Sequence, residues 1–281
     1  MKIIECPRDA MQGRKEFIPT ERKIAYINQL LQVGFDTIDF GSFVSPKAVP
    51  QMSDTSEVLA NLDLNETPSK LLAIVANIRG AEEAVQYRKI SYIGFPLSVS
   101  ETFQQRNTNK SIAEAIVQLE KIQNICLRHN KTLVTYLSMC FGNPYGDPWS
   151  AEAVIKYIEE LHQLGVETVS LSDTVGMADP ASVSYLFRHI IPAYESIEFG
   201  VHLHTTPTGW QDKIEAAYKA GCHRFDGAVR GFGGCPMAKD KLVGNVATEN
   251  LISYLENNGV NLNLNKEAFQ QVMALSGAVF S

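Results

Sequence analysis

Residues 151–173 read AEAVIKYIEELHQLGVETVSLSD, and this stretch carries the unit from which the fold is built. Val154, Ile158 and Leu161 recur at spacings of four and three, the period of a helix laid on a core. Gly165 follows where a left-handed C-cap falls, a conformation glycine adopts without steric cost. The β-branched run 167–172 then reads as a strand and delivers Asp173 at its end. The same order of helix, glycine and strand returns around Gly34 and Gly221, and a further helix closes on Gly259.

Outward from this unit, eight strand candidates fall at 2–5, 37–40, 71–76, 89–95, 132–138, 167–172, 198–204 and 223–228. Helical stretches at 20–33, 111–130, 151–164, 180–191, 211–220 and 248–258 separate them, while 41–70, with Pro46, Pro50 and Pro68, and 77–88 show only short helical patterns. Strands alternating with helices specify a parallel sheet covered by helices. An open doubly wound sheet competes, but its phosphate fingerprint G-x-G-x-x-G is absent after the first strand. Eight strands in 281 residues favour a closed (β/α)8 TIM barrel of the α/β class, one catalytic domain over 1–281 with a C-terminal helical extension.

Composition bounds the partners. A net charge of -6 argues against nucleic acid or an anionic membrane, which need a basic field, but leaves room for an anionic small substrate met by a local cation. No long apolar run and no leader pattern stand in the chain, so a cytoplasmic protein is expected. The five cysteines are scattered without a C-x-x-C pair, which indicates neither a disulfide framework nor a structural zinc site.

In such a barrel the chemistry sits where strands end. The first strand runs into Arg8 and Asp9, the second contains Asp39, the sixth ends at Asp173, and the seventh ends in His202-Leu203-His204. Residues two apart on a strand share a face, so both imidazoles should present to one site with Leu203 facing the helices. Barrel closure brings the first strand beside the eighth, placing Asp9 near the histidines and near Asn245. A carboxylate, two imidazoles and an amide carbonyl make a mixed donor set suited to Mg²⁺ or Mn²⁺. The structural alternatives are two hydrogen-bonded core histidines, a loop-cap or turn role for Asp9, an N-cap role for Asn245, and for Arg8 an ion pair with Glu5 or another carboxylate. The run 230–236, RGFGGCP, should be mobile, and a cysteine held on it, Cys235, can act as proton donor or nucleophile.

Taken together, ECPRDAMQ at 5–12, GSFVSPKAVPQM at 41–52, VHLH at 201–204, GFGGCPMA at 231–238 and GNVATE at 244–249 resemble the 3-hydroxy-3-methylglutaryl-CoA lyases over nearly the whole chain. The resemblance implies Mg²⁺ or Mn²⁺ on Asp9, His202, His204 and Asn245, with no organic cofactor. It implies that Arg8 stabilises an enolate, that Cys235 takes part in proton transfer, and that Asp39 and Asp173 are acidic active-site residues. It also implies a retro-Claisen cleavage giving acetyl-CoA and acetoacetate, an acyl-CoA substrate held by Lys15, Ser42 and the run 98–109, and a tendency to homodimers. Gln12 and Tyr136 read as substrate-pocket residues near strand ends. Three departures stand out: a first motif one residue shorter than the family's EVGPRDGLQN, Thr205 in place of an acidic residue after the second histidine, and Asp39 where glutamate is usual. They keep open a related lyase or aldolase acting on another 3-hydroxy-acyl-CoA or hydroxy-oxo acid, and a catalytically silent barrel that binds acyl-CoA.

Overall fold

Parallel strands cannot be joined by hairpins, so each needs a crossover, and a right-handed run of such crossovers curls the sheet until its edges meet. The computed structural model of the chain describes residues 1–234 and 243–280. Eight parallel strands, β1 (Lys2–Glu5), β2 (Thr37–Ser42), β3 (Lys70–Ile74), β4 (Ile90–Ser98), β5 (Thr132–Ser138), β6 (Thr168–Asp173), β7 (Glu198–Thr205) and β8 (Arg224–Gly227), pair in chain order. The pairing of β1 with β8 closes the barrel. A short β9 (Gly244–Asn245) lies antiparallel against the end of β7, with His204 opposite Asn245.

Every strand expected from the sequence is present, within a few residues of its bounds. The crossover helices include α2 (Thr20–Leu31), α6 (Ile112–Arg128), α7 (Ala151–Gln163), α8 (Pro180–Ala193) and α9 (Gln211–Lys219), preceded or followed by the shorter α1 (Pro7–Gln12), α3 (Thr55–Ala60), α4 (Ile78–Ala84) and α5 (Glu101–Thr108). The C-cap reading holds at Gly165, whose φ is +73°. There the Gly165 N–H donates to the His162 carbonyl at 2.9 Å and the Val166 N–H to the Leu161 carbonyl at 3.0 Å, the paired bonds that satisfy the last carbonyls of α7.

Leu203, Val201, Phe225 and Leu171 point outward into the main core beneath the helices. Inside the barrel a separate apolar group, Leu72, Tyr92, Val134 and Tyr136, fills part of the interior. After α10 (Thr248–Asn257), α11 (Lys266–Val279) forms the expected C-terminal extension and packs against α2. It also holds the base of the glycine-rich run: Arg230 donates from Nε to Ser276 Oγ and from Nη2 to the Met273 carbonyl, each at 2.9 Å. Among the described residues, no helix is long and apolar enough to cross a membrane.

Candidate active site

Pro7 stops β1 and opens α1, because proline lacks the N–H a strand needs and suits the first helical position. This six-residue helix, which the sequence pattern left as a strand-to-loop junction, fixes Arg8 and Asp9 in its first turn at the barrel mouth. The Arg8 guanidinium donates from Nε to Asp39 Oδ2 at 3.0 Å and from Nη2 to the same carboxylate. Its Nη1 donates to Asp9 Oδ1 at 3.1 Å and to Gln12 Oε1 at 2.9 Å. Arg8 therefore pairs with Asp39 and Asp9, so its carboxylate partners are these two and not Glu5, and the ion-pair alternative holds through them. Asp39, with no exposed surface, has its carboxyl pushed up to about 6 by burial, against the pull of Arg8.

His202 and His204 face into the barrel together, with their Nε2 atoms 3.2 Å apart. One donor atom each from Asp9, His202 and His204 all lie within 4.8 Å of one another. Burial pushes Asp9 up, but Arg8 and the two histidines outweigh it and hold the carboxyl down at about 2. Burial and the neighbouring His202 push His204 down to about 4. An ionised carboxylate beside imidazole nitrogens that face each other is a donor set that a divalent cation fits.

Asp226 on β8 supports this set from below. Its Oδ2 lies 3.1 Å from His202 Nδ1, so the ring donates from Nδ1 and keeps the Nε2 lone pair for a cation. Asn245 comes in on β9, and its Nδ2 donates to Asp9 Oδ2 and to the Phe232 carbonyl, both at 2.8 Å. That leaves Oδ1 as the ligand atom it can offer. The cap of α10 is Ala247, which removes the N-cap alternative for Asn245.

The glycines before Cys235 have a reason beyond mobility. A Cβ on Gly233, whose φ is +96°, would stand 2.7 Å from Asn245 Nδ2 and 2.9 Å from the Asp9 carbonyl oxygen, so the chain passes this close only as glycine. Cys235 itself lies outside the described residues. Beside the cluster opens a cavity of about 720 Å³, lined by Arg14, Thr205, Trp210, Phe232 and Asn245 among others.

Asp173 ends β6 as expected, but its partner was missed. Lys213, in the first turn of α9, donates from Nζ to Asp173 Oδ2 at 3.0 Å. The signal was available, since a cation in the first turn opposes the helix dipole and calls for a nearby carboxylate. Burial raises the Asp173 carboxyl, while Lys213 and the backbone amides of Met177 and Ala178 work against it.

Of the residues assigned to substrate, Gln12 sits in the cluster, its Nε2 donating to Asp9 Oδ1 at 2.8 Å. Tyr136 lies in the C-terminal half of β5, which ends at Ser138, and is buried with its ring edge-on to His202 at 5.9 Å between centroids. Ser42 is buried at the end of β2, and Lys15 is exposed beyond α1.

A family model described as HMGL-like matches residues 2–276. The chain belongs to the HMGL-like family. Membership makes it a carbon–carbon lyase. The hydroxymethylglutaryl-CoA lyase of Bacillus subtilis (strain 168) is 35% identical over 261 residues, covering 93% of this chain and 86% of the relative. A 3-hydroxy-3-isohexenylglutaryl-CoA/hydroxy-methylglutaryl-CoA lyase of Pseudomonas aeruginosa is 32% identical over 283 residues, covering 99% and 93%. The solved structure of an HMG-CoA lyase from Acenitobacter baumannii, in complex with coenzyme A and 3-methylmalate, is similar with a TM-score of 0.92 at 30% identity, covering 100% of this chain and 91% of that one.

Proposed function

We propose that this chain, as one catalytic domain over 1–281, cleaves 3-hydroxy-3-methylglutaryl-CoA to acetyl-CoA and acetoacetate with the help of Mg²⁺ or Mn²⁺ and no organic cofactor. The observation that carries this reading is the convergence of Asp9, His202 and His204 beside the Arg8 guanidinium at the barrel mouth. Asp9, His202, His204 and the Asn245 carbonyl would hold the cation, which when bound supplies Lewis-acid polarisation of a substrate hydroxyl.

The residues of the chain do the rest. Asp173, steadied by Lys213, takes the proton from the tertiary hydroxyl, and that electron pair forms the ketone of acetoacetate as the C2–C3 bond breaks. The electrons of the broken bond pass into the thioester, giving the acetyl-CoA enolate. Arg8, locked by Asp39, Asp9 and Gln12, stabilises that negative charge until a proton arrives from the Cys235 thiol. Gln12, Ser42, Tyr136 and Lys15 serve the acyl-CoA, with Gln12 ordering the cluster. A cytoplasmic location and a homodimer complete the proposal.

The deciding experiment incubates pure protein with 3-hydroxy-3-methylglutaryl-CoA and Mn²⁺. Acetoacetate should form, stop with EDTA and return with added metal. A second substrate reading, a bulkier 3-hydroxy-3-alkylglutaryl-CoA, is favoured by Thr205 in place of an acidic residue after His204. Faster cleavage of the isohexenyl compound would establish it, while absence of any cleavage would leave an acyl-CoA-binding barrel.

A further inference from the structure

His202 faces two ways. Its Nε2 belongs to the set above, and its Nδ1 faces the barrel interior, where Cys6 and Asp226 lie. The Cys6 sulfur, a His202 ring nitrogen and an Asp226 carboxylate oxygen all lie within 4.8 Å of one another. All three residues are buried, Cys6 to 1% exposure and Asp226 to 2%. A thiol, an imidazole and a carboxylate are donors found in tetrahedral zinc sites, and unlike the outer set, which has nitrogen and oxygen alone, they suit a thiophilic cation.

Two further atoms point to something missing at this place. Among the described residues Asp226 Oδ1 is buried with no hydrogen-bond partner, although a buried carboxylate oxygen left alone is costly. The Tyr136 hydroxyl is likewise buried and without a partner. The Tyr136 ring stands edge-on to His202, 5.9 Å between centroids, beside the same cluster. Charge also favours filling, since Zn²⁺ with one thiolate, one carboxylate and a neutral ring sums to zero and neutralises the buried Asp226 carboxylate.

We infer that Cys6, His202 Nδ1 and Asp226 form a second, inner site for Zn²⁺ or another thiophilic divalent cation, which shares only His202 with the set that serves catalysis. Binding releases the thiol proton of Cys6, and the imidazole proton moves from Nδ1 to Nε2. The N–H then points at the outer cation, so an inner Zn²⁺ withdraws His202 from the catalytic set. The site rests on the placement of His202 and not on the identity of the substrate.

The test uses the full chain, stripped of metal, saturated with Mg²⁺ and titrated with Co²⁺. A sulfur-to-cobalt charge-transfer band in the near ultraviolet should grow to one equivalent, persist in Cys235→Ser and vanish in Cys6→Ser. No band in the parent, or one that survives Cys6→Ser, overturns the site. Because Cys6 is buried and its variant could misfold, X-ray absorption of the Zn²⁺-loaded parent gives an independent reading: one sulfur at about 2.3 Å is expected, and a shell of nitrogen and oxygen alone overturns the proposal.

Discussion

Glu5 ends β1 three residues before Arg8 and has no exposed surface. Its Oε1 accepts the Val229 N–H at 2.9 Å and its Oε2 is hydrogen-bonded to the Thr248 hydroxyl, so it ties β1 to the base of the glycine-rich run and to α10. Burial pushes its carboxyl from the ordinary 4.5 up to about 8, against the pull of those two bonds. The folded chain therefore keeps the proton up to about pH 8, while the unfolded chain loses it near 4.5. Between those values the unfolded state binds fewer protons, and stability must fall as pH rises. The contribution is whole below 4.5 and gone above 8; at about 1.4 kcal/mol per tenfold it amounts to roughly 5 kcal/mol in all. Glu5→Gln keeps the shape and a neutral group able to donate to Thr248 and accept from Val229. In urea unfolding followed by circular dichroism, the variant should gain about 3 kcal/mol on the parent between pH 5 and pH 8. Parallel stability curves across that range would refute a protonated Glu5 in the folded chain.

Arg8→Gln should lower kcat roughly 10³-fold with Mn²⁺ still bound, because it removes charge stabilisation made in the transition state; near-normal turnover measured by acetoacetate release would end the enolate role. Lys213→Met leaves burial of Asp173 unopposed by its cation and should drive that carboxyl still higher, moving the acid limb of the kcat/KM profile to higher pH, whereas an unmoved limb means that Asp173 is not the base. Asp226→Asn weakens the acceptor behind His202 Nδ1 and should cost about 10–100-fold in Mn²⁺ affinity by electron paramagnetic resonance titration. Unchanged affinity would show that the ring needs no such support.

What the sequence disclosed follows from how far each signal travels along the chain. The strands and main crossover helices declare themselves within a dozen residues, through period and through glycines such as Gly165. The pair His202 and His204 is equally local, since alternation on one strand puts both on one face. Asp9 needed barrel closure, which follows once eight strands are counted. Lys213 and Asp226 were missed because each acts through a partner on another strand. α1 was missed because six residues are too few for a helical period to show. Asn245 had two local readings, and only its pairing opposite His204 on β7 separates them.

The count of hydrogens on Arg8 explains why Asp39 can stand where glutamate is usual. A guanidinium has five N–H groups in a fixed fork. Asp39 takes Nε and one hydrogen of Nη2, while Asp9 and Gln12 take the two on Nη1, which leaves one Nη2 hydrogen without a partner among the described residues. Four bonds hold the plane of the fork and one donor remains for the charge that develops on substrate. The shorter aspartate still makes the double contact because Arg8 rides on the first turn of α1 and is brought to β2 by that helix, whose nearest sheet neighbour is β2. A motif one residue shorter and a side chain one methylene shorter are then changes in the same contact: both move the fork and its carboxylate, and neither need disturb Asp9, which is held separately by Asn245 and Gln12. These two departures thus fall on the Arg8–Asp39 pair, while Asp9 stays beside His202 and His204.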